Sequence, residues 1–522
     1  MQQCPCRGKL QPLPPDAENA EQSEGDGSQP GPGESEAPTD AESESPHGSD
    51  TEPTEESEVS KLLTDLVPTS PEILRATRAA VPLEWLGLVL RQGIEGRLAR
   101  GLSDDRHSRS FATTHFDEFW SHSWHGPAWQ KVVTLLVFYN SPAAIVASFA
   151  AAAASASLQF WAPSSRREAA GLLSFFPAFL GVFVTLALWR PSRRIFLDSV
   201  CISQSDKALK QKGIMSLGGF LRHSKSMIIL WDTSYSSRVW CVFEQAAFYF
   251  LQKKMPSKQI YVRPTFQVTA WMVVMLLICI RVTVFLLMCT LTGVPIIYLH
   301  AISFGTLVLI TANGMRRVAR DLAGLSKQIE SFDMEHAKCF CCSHNHCHPD
   351  TSEELLCDRL LVEASVKQWF GSLEHFVQFV RGEMKERFRV QCDTPPYRIA
   401  VLWSIPLLWI TLGMAARLLS LGHRVGALEV VLANIYSCFF VIPMSAEACW
   451  RLAWYFREKS SNRVVDRGKD ILLALIACAI HEPIWSLYEI TAHRPWHSPM
   501  IAAVGTGFGL LTLLAYRQRL CY

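Results

Sequence analysis

The sequence predicts a multi-pass α-helical membrane protein with a water-facing α/β domain split by its first membrane hairpin. Three observations lead there. Only 19% of the 522 residues are charged while 49% are hydrophobic, whereas soluble proteins carry nearer a quarter charged. The deficit is gathered into about eight apolar blocks, each close to the ~20 residues a helix needs to cross a bilayer. Between the second and third blocks, short β-like runs alternate with helical spacing, which is the pattern of a parallel sheet covered by helices.

The blocks are Pro142 to Trp161, Ala170 to Trp189, Phe266 to Cys289, Val294 to Met315, Ile399 to Leu421, Val425 to Ala446, Ile471 to Ile490 and Pro499 to Tyr516. Taken as four hairpins (142–189, 266–315, 399–446 and 471–516), they leave short loops on one side whose only bases are Arg166, Arg167, Arg424 and Arg494. The other side collects Arg190, Arg193 and Arg194, then Arg316, Arg317 and Arg320, and then the basic loop 447–470. Positive charge marks the cytosolic face, so both termini and the larger polar regions are expected in the cytosol. Arg281, Glu429 and Glu482 fall within spans, where an ionisable group either lines a pathway or pairs inside the bundle.

Residues 1–60 form an acidic head. Asp16 to Glu58 holds about fifteen acids and no Lys or Arg, so the rest of the chain has about 33 acids against 50 bases. Its Ser, Pro and Gly content leaves too little apolar surface to offset the entropy of ordering, and it is expected to be disordered. A linker with a possible amphipathic helix, 61–110, follows. The sixteen cysteines lie singly in apolar runs or in one tight cluster, unlike the framework of a stapled secreted domain.

The α/β domain is read over 115–140 and 190–265. His115 to Ser121 is strand-like, and Pro127 to Tyr139 forms an amphipathic helix with Pro in its first turn. After the hairpin come a β-like run at Ile195 to Val200, helical spacing over Lys210 to His223, a strand at Ser226 to Trp231, a helix over Val239 to Leu251 and a strand at Ile260 to Val262.

Four runs here resemble the Toll/interleukin-1 receptor (TIR) domain in its plant-like form. They are Phe196-Leu197-Asp198, Met227-Ile228-Ile229-Leu230, the stretch from Tyr235 through Trp240-Cys241 to Glu244, and Phe116 to Trp124. The resemblance covers about 115–265. It implies a five-strand flavodoxin-like sheet, signal transduction, and either hydrolysis of NAD at its nicotinamide bond or homotypic assembly. It also implies Glu244 as the catalytic carboxylate at the nicotinamide ribose. Read from the residues alone, Glu244 could instead favour the start of its helix by complementing the dipole, and Trp240 and Cys241 are packing residues.

The cytosolic linker 316–398 carries Cys339, Cys341, Cys342, His344, His346, Cys347, His348 and Cys357. Thiolates and imidazoles are the usual ligands of structural zinc, and a set drawn from Cys339, Cys342, His346, Cys347 and Cys357 is the metal-site expectation. The bland alternative is a reduced, partly buried loop. No phosphate-binding glycine loop or zinc-protease motif occurs, and no nucleic-acid-binding module is present. The expected partners are the bilayer and a second copy bound through the TIR-like domain. Three functions stand open: an NAD-consuming signalling enzyme, a non-catalytic TIR-like scaffold, and a channel or transporter with a regulatory domain.

Overall fold

The computed structural model describes residues 55–92, 103–163, 167–292, 294–347, 352, 354–392 and 397–492. Most of the acidic head therefore lies outside the described residues, as does the eighth expected span, 499–516. The head's last residues are ordered into a helix, Glu55–Asp65. Leu63 in that helix and Leu66 just beyond it are buried in the core, and Trp369 Nε1 donates to the Thr64 carbonyl at 2.9 Å.

Six helices among the described residues are long and apolar enough to cross a membrane, giving the chain the make-up of a multi-pass helical membrane protein. They correspond to the first six expected blocks. The seventh, Ile471 to Ile490, lies within the helix Arg463–Ala492, which is not among the six. Leu276, Ile280, Val284 and Leu287 of the Thr265–Leu291 helix are exposed, as suits a surface solvated by lipid. Ala128–Trp161 is a single helix of 34 residues, so the amphipathic helix of the α/β domain and the first span are continuous through Pro142. The helices Arg424–Tyr436 and Ile442–Tyr455 are joined by a π-turn, Ser437–Val441. Pro443 follows it directly, and a proline in a helix disrupts the hydrogen-bond ladder on its amino-terminal side.

The sheet has six strands: β1 Arg75–Arg78, β2 Phe111–Ala112, β3 Phe116–His122, β4 Arg194–Phe196, β5 Ser224–Trp231 and β6 Gln259–Pro264, in the order β2-β1-β4-β3-β5-β6. β4, β3, β5 and β6 are parallel, with Phe119 paired to both Phe196 and Met227 and Ile229 paired to Val262. β1 and β2 extend the β4 edge antiparallel. The five parallel strands implied by the resemblance thus become four, plus β1 from the stretch read as a linker and β2 just after it. Among the described residues β6 is the edge of the parallel set, and Pro264 passes directly into the helix at Thr265.

β5 reads Ser-Lys-Ser-Met-Ile-Ile-Leu-Trp and is buried everywhere except Lys225, because helices cover both faces. On one face Phe116, Phe119, Phe196, Phe220 and Met227 pack beneath the Val239–Lys254 helix and the helices of the 316–398 region. On the other, Trp120, Ile228 and Leu230 pack under Val132, Leu135 and Leu136 of the Ala128–Trp161 helix. Burying each such side chain contributes about 1.5–3 kcal/mol. The winding reverses between β3 and β5, and in open parallel sheets ligands bind beyond the carboxyl ends of the strands at that point.

Candidate functional site

At the carboxyl ends of β3, β4 and β5, polar side chains replace the apolar runs that precede them. β3 ends in Ser121-His122 and leads to Ser123-Trp124, Asp198 follows β4 by one residue, and Asp232 follows β5. An apolar strand that stops on a charged or polar residue is a signal readable in the sequence. Only Asp198 and the His122 stretch entered the reading above, and then without a role; Asp232 and Lys131 were missed.

On the face covered by the Val239–Lys254 helix, Ser121 Oγ hydrogen-bonds the Glu244 carboxylate and lies 2.5 Å from the Tyr235 hydroxyl. Glu244 is in the second turn of its helix and the first turn holds no acid. The dipole effect fades beyond the first turn, so helix initiation does not account for Glu244. Burial pushes its carboxyl up to about 8, against the opposing Ser121 hydrogen bond, and the group is protonated at neutral pH.

Across the sheet, Lys131 and Asp232 form a buried ion pair at 3.8 Å. Lys131 Nζ also donates to the Ser123 and Gly126 carbonyls, and Asp232 Oδ1 accepts from Ser234 Oγ at 2.5 Å. These added hydrogen bonds offset the desolvation that burying two charges costs. A Cβ on Gly126 would come within 1.9 Å of Asp232 Oδ2, so the backbone approach requires glycine. His122 is held neutral, its imidazole pushed down to about 4 chiefly by burial. Its Nε2 is buried without a hydrogen-bond partner, and its ring lies 4.5 Å from that of Trp124. Trp124 Nε1 donates to Asp198 Oδ2 at 2.8 Å. The edge thus brings together a protonated carboxyl, a neutral imidazole, a carboxylate and an indole that could stack on a planar ring.

Cys241 is buried, as a packing residue should be, and its thiol reaches the His122 carbonyl at 3.6 Å. Trp240 is partly buried and packs against the core, and it also donates to Asp358 Oδ2 of the 316–398 region at 3.2 Å. Lys338 N donates to the Ser237 carbonyl at 2.6 Å and Val239 N to the Lys338 carbonyl at 3.1 Å. That segment therefore clasps the entry to the helix carrying Glu244.

The clasp leads into the cysteine cluster. Donor atoms of Cys341, Cys342, His346 and Cys357 lie within 4.8 Å of one another. The structure thus brings together Cys342, His346 and Cys357 of the expected set and adds Cys341. Cys339 is buried with its Sγ 3.5 Å from that of Cys341, and Cys347 is exposed. The Cys342 and Cys357 sulfurs are 3.9 Å apart, close to the roughly 3.8 Å edge of a tetrahedron with ~2.3 Å metal–sulfur bonds. Asn345 and His346 both take left-handed backbone, at φ 51° and 60°, a strain of about 1–3 kcal/mol each that metal binding could offset. Three sulfurs and an imidazole on a short loop fit a metal ion.

Among the intramembrane ionisable groups, the Arg281 guanidinium lies 5.8 Å from the ring centroids of both Phe285 and Phe304. Glu429 is partly buried, and the Glu482 side chain lies outside the described residues. Compared with protein-family models, curated proteins and solved structures, the chain matches none.

Proposed function

We propose that this protein is a membrane-embedded signalling enzyme whose TIR-like α/β domain faces the cytosol and hydrolyses NAD, with Glu244 acting at the nicotinamide ribose. The observation that carries the reading is the Glu244 carboxyl itself, raised to about 8 at the strand ends where parallel sheets bind ligands. Strongly perturbed carboxyls concentrate at functional sites. In the reaction the bond from ribose C1′ to the nicotinamide nitrogen breaks, its electron pair neutralises the pyridinium, and water adds at C1′ with loss of a proton. A cationic nicotinamide beside Glu244 favours the ionised carboxylate, which then stabilises the oxocarbenium character developing at C1′. The Cys341, Cys342, His346 and Cys357 set would hold zinc as a structural ion, supporting the clasp on the Glu244 helix.

Assembly without catalysis is the second reading, favoured by the protonated state of Glu244 in the isolated chain. The two separate on NAD turnover by the full chain in lipid nanodiscs. The enzyme reading expects nicotinamide release that rises with pH through about 8 and falls at least ~100-fold in Glu244→Gln. Equal rates in the two proteins, or no release from clustered native protein, would remove it.

A further inference from the structure

A concave site lies at the end of the sheet opposite Glu244. A cavity of 580 Å³ is lined by Asp117, Glu118, Tyr139, Arg193, Lys225 and Tyr261, within the ~300–1,000 Å³ range of small-ligand sites. Asp117, Lys225 and Gln259 place it at the amino ends of β3, β5 and β6. The Ala128–Trp161 helix begins just after the carboxyl end of β3 and runs back along the sheet. Near the amino end its Tyr139 hydroxyl donates to Glu118, and the helix then continues into the first span. Pro142 and Pro191, which bracket the spans of the first hairpin, complete the wall. The cavity is therefore at headgroup depth, where the chain leaves the apolar layer.

Its charge favours an anion. Lys225 reaches Asp117 at 3.2 Å, and Arg194 approaches the same carboxylate at 3.8 Å. Arg193 is exposed, and its charge acts on the Glu118 carboxyl that lines the same cavity. Glu118 is buried, which raises its carboxyl above the ordinary range against the opposing Tyr139 hydrogen bond and the Arg193 charge. With Arg194 beside Asp117, three bases (Arg193, Arg194 and Lys225) stand around the cavity against the two acids Asp117 and Glu118. Below the cavity, Val146, Leu188 and Trp189 are exposed apolar side chains along the hairpin, a track on which acyl chains can lie.

We infer that this cavity binds the headgroup of an anionic phospholipid, with its phosphate toward Arg193 and Lys225 and its acyl chains along the first hairpin. The bound lipid bridges the α/β domain and the spans, and it is independent of the Glu244 site.

The test uses the full chain in nanodiscs of phosphatidylcholine mixed with phosphatidylserine, with retained lipid identified by native mass spectrometry after gentle release. Phosphatidylserine is expected to be enriched over phosphatidylcholine. Enrichment should fall about fivefold for each of Arg193→Gln and Lys225→Gln, be restored by Arg193→Lys, and be unaffected by Lys207→Gln or Lys210→Gln. Both target side chains are exposed, and far-ultraviolet circular dichroism checks that each variant is folded. Retention that is unchanged in the two variants, or equal for the two lipids, would overturn the proposal. Competition by soluble glycerophosphoserine at concentrations matching the lipid would also overturn it, because the phosphate would then be recognised without a bilayer.

Discussion

Glu244 shows how a side chain can be legible in a sequence while its state is not. The spacing from Tyr235 through Trp240-Cys241 marks the position by resemblance, whereas its protonation is set by the burial around it, against the hydrogen bond from Ser121, 123 residues away. An unfolded glutamate loses its proton near 4.5, while the folded one keeps it to about 8. Between those values the folded state binds more protons than the unfolded, so this group's contribution to stability falls as pH rises. Glu244→Gln removes the dependence. Thermal unfolding of the full chain should show the variant gaining on native protein from pH 5 to pH 8, and a difference that stays constant with pH would contradict the burial argument. Lys131 and Asp232 were missed, and His122 was read without a role, for a related reason. Each is an ordinary polar residue beside an apolar run, and only the parallel register of β3 and β5 brings them to one edge.

Among the elements, the cysteine loop gives Cys339 and Cys341 to the main core and leaves Cys347 exposed. Its tie to the Glu244 helix runs through Lys338, Val239 and the Trp240 to Asp358 hydrogen bond. The full chain should therefore purify with about one zinc per molecule by elemental analysis, as expected for a four-ligand site. Cys341→Ser or Cys357→Ser should lose it and speed proteolysis of the 334–357 segment. Equal metal content in native protein and both variants would dismiss the site. Metal-ligand types were readable from the sequence; choosing Cys341 over Cys339 and Cys347 was not. That choice is made by the left-handed turn at Asn345 and His346, which returns His346 toward the Cys341 and Cys342 thiols. β1 was equally hidden: Arg75-Ala76-Thr77-Arg78 has little apolar character and becomes a strand because β4 offers it an edge.

Across the whole molecule, the bundle is locked to its water-facing end by Arg316. The side chain is fully buried, with Nη1 and Nη2 each 2.6 Å from a carboxylate, those of Asp470 and Asp466, and Nε donating to the Phe456 carbonyl at 2.8 Å. In the sequence Arg316 reads as one of the bases flanking a span. In the fold it joins the Ile296–Glu330 and Arg463–Ala492 helices. Arg316→Met removes the buried guanidinium between the two acids, leaving Asp470 with Arg467 at 3.8 Å and Asp466 with the Ser460 amide, and should cost up to about 3–5 kcal/mol, seen as a lower apparent unfolding temperature in nanodiscs. Adding Asp466→Asn and Asp470→Asn should recover part of the loss. A neutral single variant would show that the pair of carboxylates is satisfied by water.

Apolar run length is a local property, so the presence of six of the spans and the alternation of strand and helix could be read directly from the chain. The hydrophobic requirement acts on each stretch independently of its neighbours. Pairing is not local. Recruitment of β1 and β2, continuity of the first amphipathic helix with its span, the edge that unites Glu244 with Ser121, and the cavity beneath Arg193 all arise from contacts between residues tens to hundreds of positions apart. Those contacts are fixed only when the sheet finds its register and the helices close over its two faces.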